Sequence, residues 1–163
     1  MDTLSKTILK EVVGEEVTPK APKTPRRSPM DHWSPAVLLE RAAYLRKMAA
    51  AGNGSAGETL QQYPQHATVL SFRNRDGEAE IHEKFADIFY VLDGATTLVT
   101  GGKIVGARIT APGETRGDTI EDGTRQELKV GDVAHVPAGL PHQMLVSGEK
   151  PLTCFIIKIQ EVQ

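Results

Sequence analysis

From about residue 66 onward the chain is divided by paired turn residues: Asp76-Gly77, Asp93-Gly94, Gly101-Gly102 and Asp122-Gly123, with Gly148 further on. Gly and Asp accept the backbone conformations that tight reversals require, so these pairs mark turns. Between them lie short runs rich in apolar and β-branched residues: ATVLSF (67–72), AEIHE (79–83), DIFYVL (87–92), ATTLVT (95–100) and KIVGARI (103–109), then RQELKV (125–130), DVAHVP (132–137), HQMLVS (142–147) and LTCFIIKI (152–159). They read as strands, and no βα unit repeats among them. The pattern predicts an all-β antiparallel sandwich or barrel and argues against a parallel α/β sheet. The stretch TAPGETRGDTIEDGT (110–124) reads as the longest loop, and long loops often flank sites.

The first third of the chain differs. SPAVLLERAAYLRKMAAA (34–51) predicts one helix, with Ser34 as N-cap, Pro35 at the first helical position and Gly52 beyond its end. Leu38, Tyr44, Leu45 and Met48 recur at helical spacing, and GNGSAGE (52–58) reads as a flexible link. Residues 1–30 contain TPKAPKTPRRSPM, whose four prolines and basic side chains favour extended chain. This segment reads either as a mobile tail or as an arm packed on another subunit. The predicted organisation is an extended arm over 1–30, a helix and linker over 31–58, and a β-barrel over 59–163.

Composition limits the partners. The formal net charge of −2 gives no whole-chain reason for a nucleic-acid or membrane partner, and PRRSP is a very small basic patch. No apolar run is long enough to cross a bilayer, and the N-terminus lacks the apolar core of a signal peptide. Cys154, the one cysteine, has no partner for an intramolecular disulfide, which fits a reducing compartment; a cytoplasmic protein is expected. In its apolar run, Cys154 reads as a small buried hydrophobe.

GEAEIHEKFADIFYVLDG (77–94) carries the chemistry. Side chains alternate along a strand, so Glu80 and His82 share a face. If EKFA (83–86) closes a hairpin, Asp87 lies opposite His82 on that face, and Phe89 and Val91 continue it inward. Two carboxylates and an imidazole in an apolar cavity cost several kcal/mol each if unpaired, and a divalent cation removes that cost. Glu80 could also point past the rim into solvent, and Asp87 could cap a strand end. His142, emerging from a turn built on Pro137, Gly139 and Pro141, offers a further ligand. Mixed nitrogen and oxygen donors suit Zn, Fe, Mn or Ni better than Ca or Mg. Met144 shares the His142 face and is expected in the pocket, while Tyr90 and Gln143 are expected to face away. His66 and His135 read as structural, and His32 as a helix-entry residue. Lys158 interrupts CFIIKI and projects either to solvent, the favoured placement, or into the cavity, where it could bind an acidic substrate or act as a base. Arg116 and Arg125 could grip a carboxylate at the barrel mouth.

These motifs resemble the cupins. The second cupin motif is matched by Gly131, Pro137, Gly139 and His142, with the family's spacing. The first is matched in spacing by Glu80, His82, Asp87 and Gly94, with Glu80 where the family has its first His and Asp87 where it has Glu. The resemblance covers about residues 66–160 and implies a double-stranded β-helix, or jelly-roll barrel. It also implies one divalent transition metal on His82, Asp87 and His142, with Glu80 as fourth ligand, and a small-molecule ligand. Cupins include dioxygenases, isomerases, decarboxylases, storage proteins and sensor domains. The expectation is therefore metal Lewis-acid chemistry, oxidation or isomerisation, on a small acidic or oxygen-rich molecule. The alternative is a non-catalytic ligand-binding or sensing module with a structural metal, and a homodimer is expected from the way cupins pair through sheet edges.

Overall fold

The computed structural model describes residues 30–146 and 150–161, so the predicted arm lies outside the described residues except for Met30. Helix α1 (Pro35–Ala51) is followed by β1 (Ser55–Gln62), β2 (His66–Arg73), β3 (Ala79–His82), β4 (Phe85–Asp93), β5 (Ala95–Thr100) and β6 (Lys103–Val105). The chain continues through β7 (Arg108–Ala111), β8 (Glu114–Gly117), β9 (Thr119–Glu121), β10 (Thr124–Lys129), β11 (Val133–Val136), β12 (His142–Leu145) and β13 (Leu152–Gln160). A five-stranded sheet has the order β1-β2-β13-β4-β11, and a six-stranded sheet the order β10-β5-β12-β3-β8-β7. A two-stranded ribbon pairs β6 with β9. Every pairing among the described residues is antiparallel. Successive strands β2 to β5 lie alternately in the two large sheets, the winding of a double-stranded β-helix. No helix among the described residues is long and apolar enough to cross a membrane.

Alternation divides the apolar residues between two cores. Between the sheets lie Phe89, Val91, Leu98, Leu128, Met144, Leu152 and Cys154. On the outer face of the five-stranded sheet, Leu60, Leu70 and Phe72 pack under Leu38, Ala42, Leu45 and Ala49 of α1. Those four helical positions fall on one stripe, which is why the helix lies flat on the sheet. Ser34 caps it, accepting from Val37 N at 3.4 Å. Arg41, a buried residue of α1 itself, pairs with Glu58 of β1. Met48 leaves the stripe and is exposed, a correction to the helical pattern read from sequence.

Three readings change. The link at 52–58 ends early, because β1 begins at Ser55; as an edge strand with Leu60 as its one buried hydrophobic residue, it carries little apolar signal. The run 103–109 breaks at Gly106, whose φ of +66° ends β6 before β7 starts. The supposed loop at 110–124 holds β8 and β9, with Gly113 at φ +78° turning β7 into β8.

Candidate metal centre

Register brings the polar residues together. On β3, Glu80 lies between Arg116 of β8 and His142 of β12, and His82 lies opposite Glu114. Opposed residues share a face, so this sheet presents Arg116, Glu80 and His142 in one row and His82 with Glu114 in the next. In the other sheet, Asp87 of β4 lies between Lys158 of β13 and Val136 of β11. The hairpin expected between His82 and Asp87 does not form. Glu83 and Lys84 carry the chain from one sheet to the other, so the two residues meet across the interior instead of along a ladder.

The side chains converge closely. His82 Nε2 is 3.5 Å from Glu80 Oε2 and 3.4 Å from Asp87 Oδ2, and His142 Nε2 is 3.7 Å from Asp87 Oδ2. Donor atoms of Glu80, His82 and His142 all lie within 4.8 Å of one another. Lys158 reaches inward, with Nζ 2.8 and 2.9 Å from the Asp87 oxygens and 3.0 Å from His82 Nε2. The expected outward placement of Lys158 is thus corrected: beside Asp87 in register, it supplies the charge that a carboxylate only 3% exposed requires. Arg116 lies 3.2 Å from both Glu80 and Glu114.

Both imidazoles are held by their far nitrogens. His82 Nδ1 is 2.7 Å from Glu114 Oε2, and His142 Nδ1 is 3.1 Å from Leu140 O. A carboxylate and a carbonyl only accept, so each Nδ1 carries the proton and each Nε2 turns a lone pair inward in the neutral ring. His142 Nε2 is buried and has no hydrogen-bond partner among the described residues. The turn before His142 is fixed as well: Gly139 N donates to His82 O at 2.8 Å, and Gly101 N donates to Pro141 O at 2.8 Å.

This arrangement fits a divalent cation. Two ligands about 2.1 Å from a tetrahedral ion are about 3.4 Å apart, close to the separations found here. The outer partners Glu114 and Leu140 O are the kind that orient metal-binding histidines. Three carboxylates (Glu80, Asp87, Glu114) face two fixed cations (Arg116, Lys158), leaving an excess of one negative charge when both histidines are neutral. The acids act on the protons accordingly. Burial works to lower the His82 pKa, but the hydrogen bond to Asp87 and the charges of Asp87 and Glu80 prevail over burial and Lys158, and the value is raised. Burial works to raise Asp87, but His142, His82 and Lys158 hold it well below the usual carboxylate range.

A cavity of about 230 Å³ opens beside the cluster, walled by His82, Glu114, Arg116, Lys158, Gln62, Ala67 and Phe85. Among the pocket residues expected from sequence, Arg116 lines it. Phe89, Val91 and Met144 instead belong to the apolar core, with the Phe89 ring 6.0 Å from that of His142. Arg125 is exposed on edge strand β10, with β5, β12 and β3 between it and the strand of Arg116. Tyr90 faces outward, as expected. Gln143 turns away from the cluster and donates to Gly77 O at 2.8 Å. His66 stacks on Tyr63 and His135 is exposed near Glu161, both away from the cluster. Burial pushes the Cys154 thiol up to about 12, consistent with an inert core residue. Sequence reasoning missed Glu114, because its strand was read as loop; the alternation in ETRG, which puts Glu114 and Arg116 on one face, is the signal that could have found it.

No family model matches the chain, and no curated protein matches it. Solved structures do. The TT1209 protein of Thermus thermophilus is 17% identical with a TM-score of 0.52, over 75% of this chain and 93% of that one. An uncharacterized conserved protein with a double-stranded β-helix domain from Klebsiella pneumoniae is 17% identical with a TM-score of 0.51, over 67% of this chain and 80% of that one. A Cupin 2 conserved barrel domain protein from Salinispora arenicola is 16% identical with a TM-score of 0.46, over 67% and 78%. With its two antiparallel sheets and its alternating winding, the chain has the double-stranded β-helix fold of the cupins.

Proposed function

We propose that the protein binds one divalent transition metal ion (Zn, Fe, Mn or Ni) through His82, His142 and Glu80, with Asp87 as the fourth donor. In this reading it acts on a small acidic or oxygen-rich organic molecule. The observation that carries the reading is His142 Nε2, buried without a hydrogen-bond partner among the described residues, in a group whose donor atoms lie within 4.8 Å of one another. A buried polar atom left unpaired is unfavourable, and a metal ion gives it one. When bound, the ion supplies Lewis-acid polarisation of a substrate oxygen, which suits oxidation or isomerisation. Glu114 keeps the proton on His82 Nδ1 so that Nε2 stays available, and a bound divalent ion would turn the local excess of one negative charge into one positive beside the cavity that Arg116 and Lys158 line, which would favour an anion.

A second reading, a ligand-binding or sensing module with a structural metal, is favoured by the four protein donors, since a filled shell leaves no open position. A cytoplasmic homodimer completes the proposal, and light scattering that returned the 17.7 kDa chain mass would refute the dimer. Elemental analysis after growth in metal-replete medium tests the metal: about one equivalent is expected in the wild type, and His142→Ala should lose most of it. Wild-type protein without stoichiometric metal overturns both readings. Metal-bound waters counted in a high-resolution map then separate catalysis, which leaves open positions, from a closed structural site.

A further inference from the structure

We infer that Lys158 is the pocket's own counter-ion when no metal is bound, and that its present contacts and metal binding exclude one another. This inference rests on the metal-binding reading above. With the proton of His82 held on Nδ1 by Glu114, Nε2 offers one lone pair. Lys158 Nζ stands 3.0 Å from that atom, so either an ammonium hydrogen or a metal ion uses the pair, not both. Asp87 is shared in the same way. Both of its oxygens lie within 2.9 Å of Nζ, while its Oδ2 also approaches Nε2 of both histidines, at 3.4 Å from His82 and 3.7 Å from His142.

Without a counter-charge, Asp87 would be a buried, uncompensated carboxylate. Lys158, its cross-strand neighbour, removes that penalty in the metal-free fold. An arriving divalent ion neutralises Asp87 and Glu80 and repels the ammonium. The long, flexible stem of a lysine lets it swing away, and the cavity it already lines beside Arg116 is the space open to it. Metal loading therefore turns Lys158 from an internal counter-ion into a ligand-facing cation.

The test compares metal-free wild type, Lys158→Met and Lys158→Gln by Zn(II) titration against a competing chelator, with thermal unfolding of the metal-free forms alongside. Breaking one or two charge-assisted hydrogen bonds weakens wild-type binding by about 10- to 100-fold, so both variants should bind Zn(II) tighter by that factor. Their metal-free forms should unfold at lower temperature than wild type. The Gln variant keeps a hydrogen-bond donor for Asp87 and serves if the Met variant does not fold. If wild type binds Zn(II) and the variants bind it equally or more weakly, Lys158 does not compete and the inference is overturned, while the metal reading stands. If neither wild type nor variants bind Zn(II), both fall.

Discussion

At the residue scale, two rings show how position decides chemistry. His82 and His142 each fix one nitrogen against an acceptor, but His82 stands nearer to carboxylates, and its pKa is displaced upward from the ordinary 6.5. Burial opposes that rise; Asp87 and Glu80 drive it. A group with a raised folded pKa contributes stability fully below about 6.5 and loses it as pH rises through the folded value. Asp87 has the opposite sign: held below its ordinary 3.8, it contributes above about pH 3.8 and loses that as pH falls. In the metal-free protein these contributions overlap between about pH 4 and 6.5. The stability difference between wild type and His82→Gln, from urea unfolding in chelator, should therefore be larger at about pH 6 than at about pH 8.5. A difference that grows with pH would mean that burial, not the carboxylates, governs the ring.

At the element scale, the corner between β4 and β5 is tightly specified. Gly94 has φ +82°, and a Cβ there would lie 1.8 Å from the backbone oxygen of Pro151. Gly94→Ala should cost at least about 2 kcal/mol, read as a lower urea midpoint. Gly131 is the internal control: its φ of +91° is as unfavourable for Ala, but no described residue would lie within 4 Å of a Cβ there, so Gly131→Ala should cost about half as much. Equal losses would show that the clash at Pro151 is relieved by backbone movement. Gly94 and Gly131 were both legible in sequence, because turns need particular backbone angles and glycine declares them. So were the strands bearing His82, Asp87 and His142, since apolar alternation marks buried faces. Strands β1, β8 and β9 were not, because an edge strand such as β1 can be nearly all polar and a three- or four-residue strand is too short to show a period. The error at β8 hid Glu114. The hairpin assumed at 83–86 failed for another reason: a short connection reads the same whether it returns the chain along one sheet or carries it into the facing one.

At the scale of the whole molecule, the cluster joins the two halves of the sandwich. Glu80, His82 and His142 belong to the six-stranded sheet, and Asp87 to the five-stranded sheet opposite. An ion held by both would act as a tie between the sheets, and pulling them apart would require its release. Binding to the folded chain alone stabilises it by about 2.7 kcal/mol at a free concentration one hundred times Kd. For a domain of this size that corresponds to a rise in Tm of about 5–10 °C. Removing metal with a chelator should reverse the rise, and restoring it should recover the original Tm. His142→Ala should show almost no metal-dependent shift, having lost the donor whose lone pair is otherwise unmatched. Native-state hydrogen exchange locates the effect. Amides of β3 and β4 should slow together on loading if one ion spans both sheets, because neither strand can open while the tie holds. Slowing confined to β3 and β12 would place the ion on Glu80, His82 and His142 alone, with Asp87 left to Lys158.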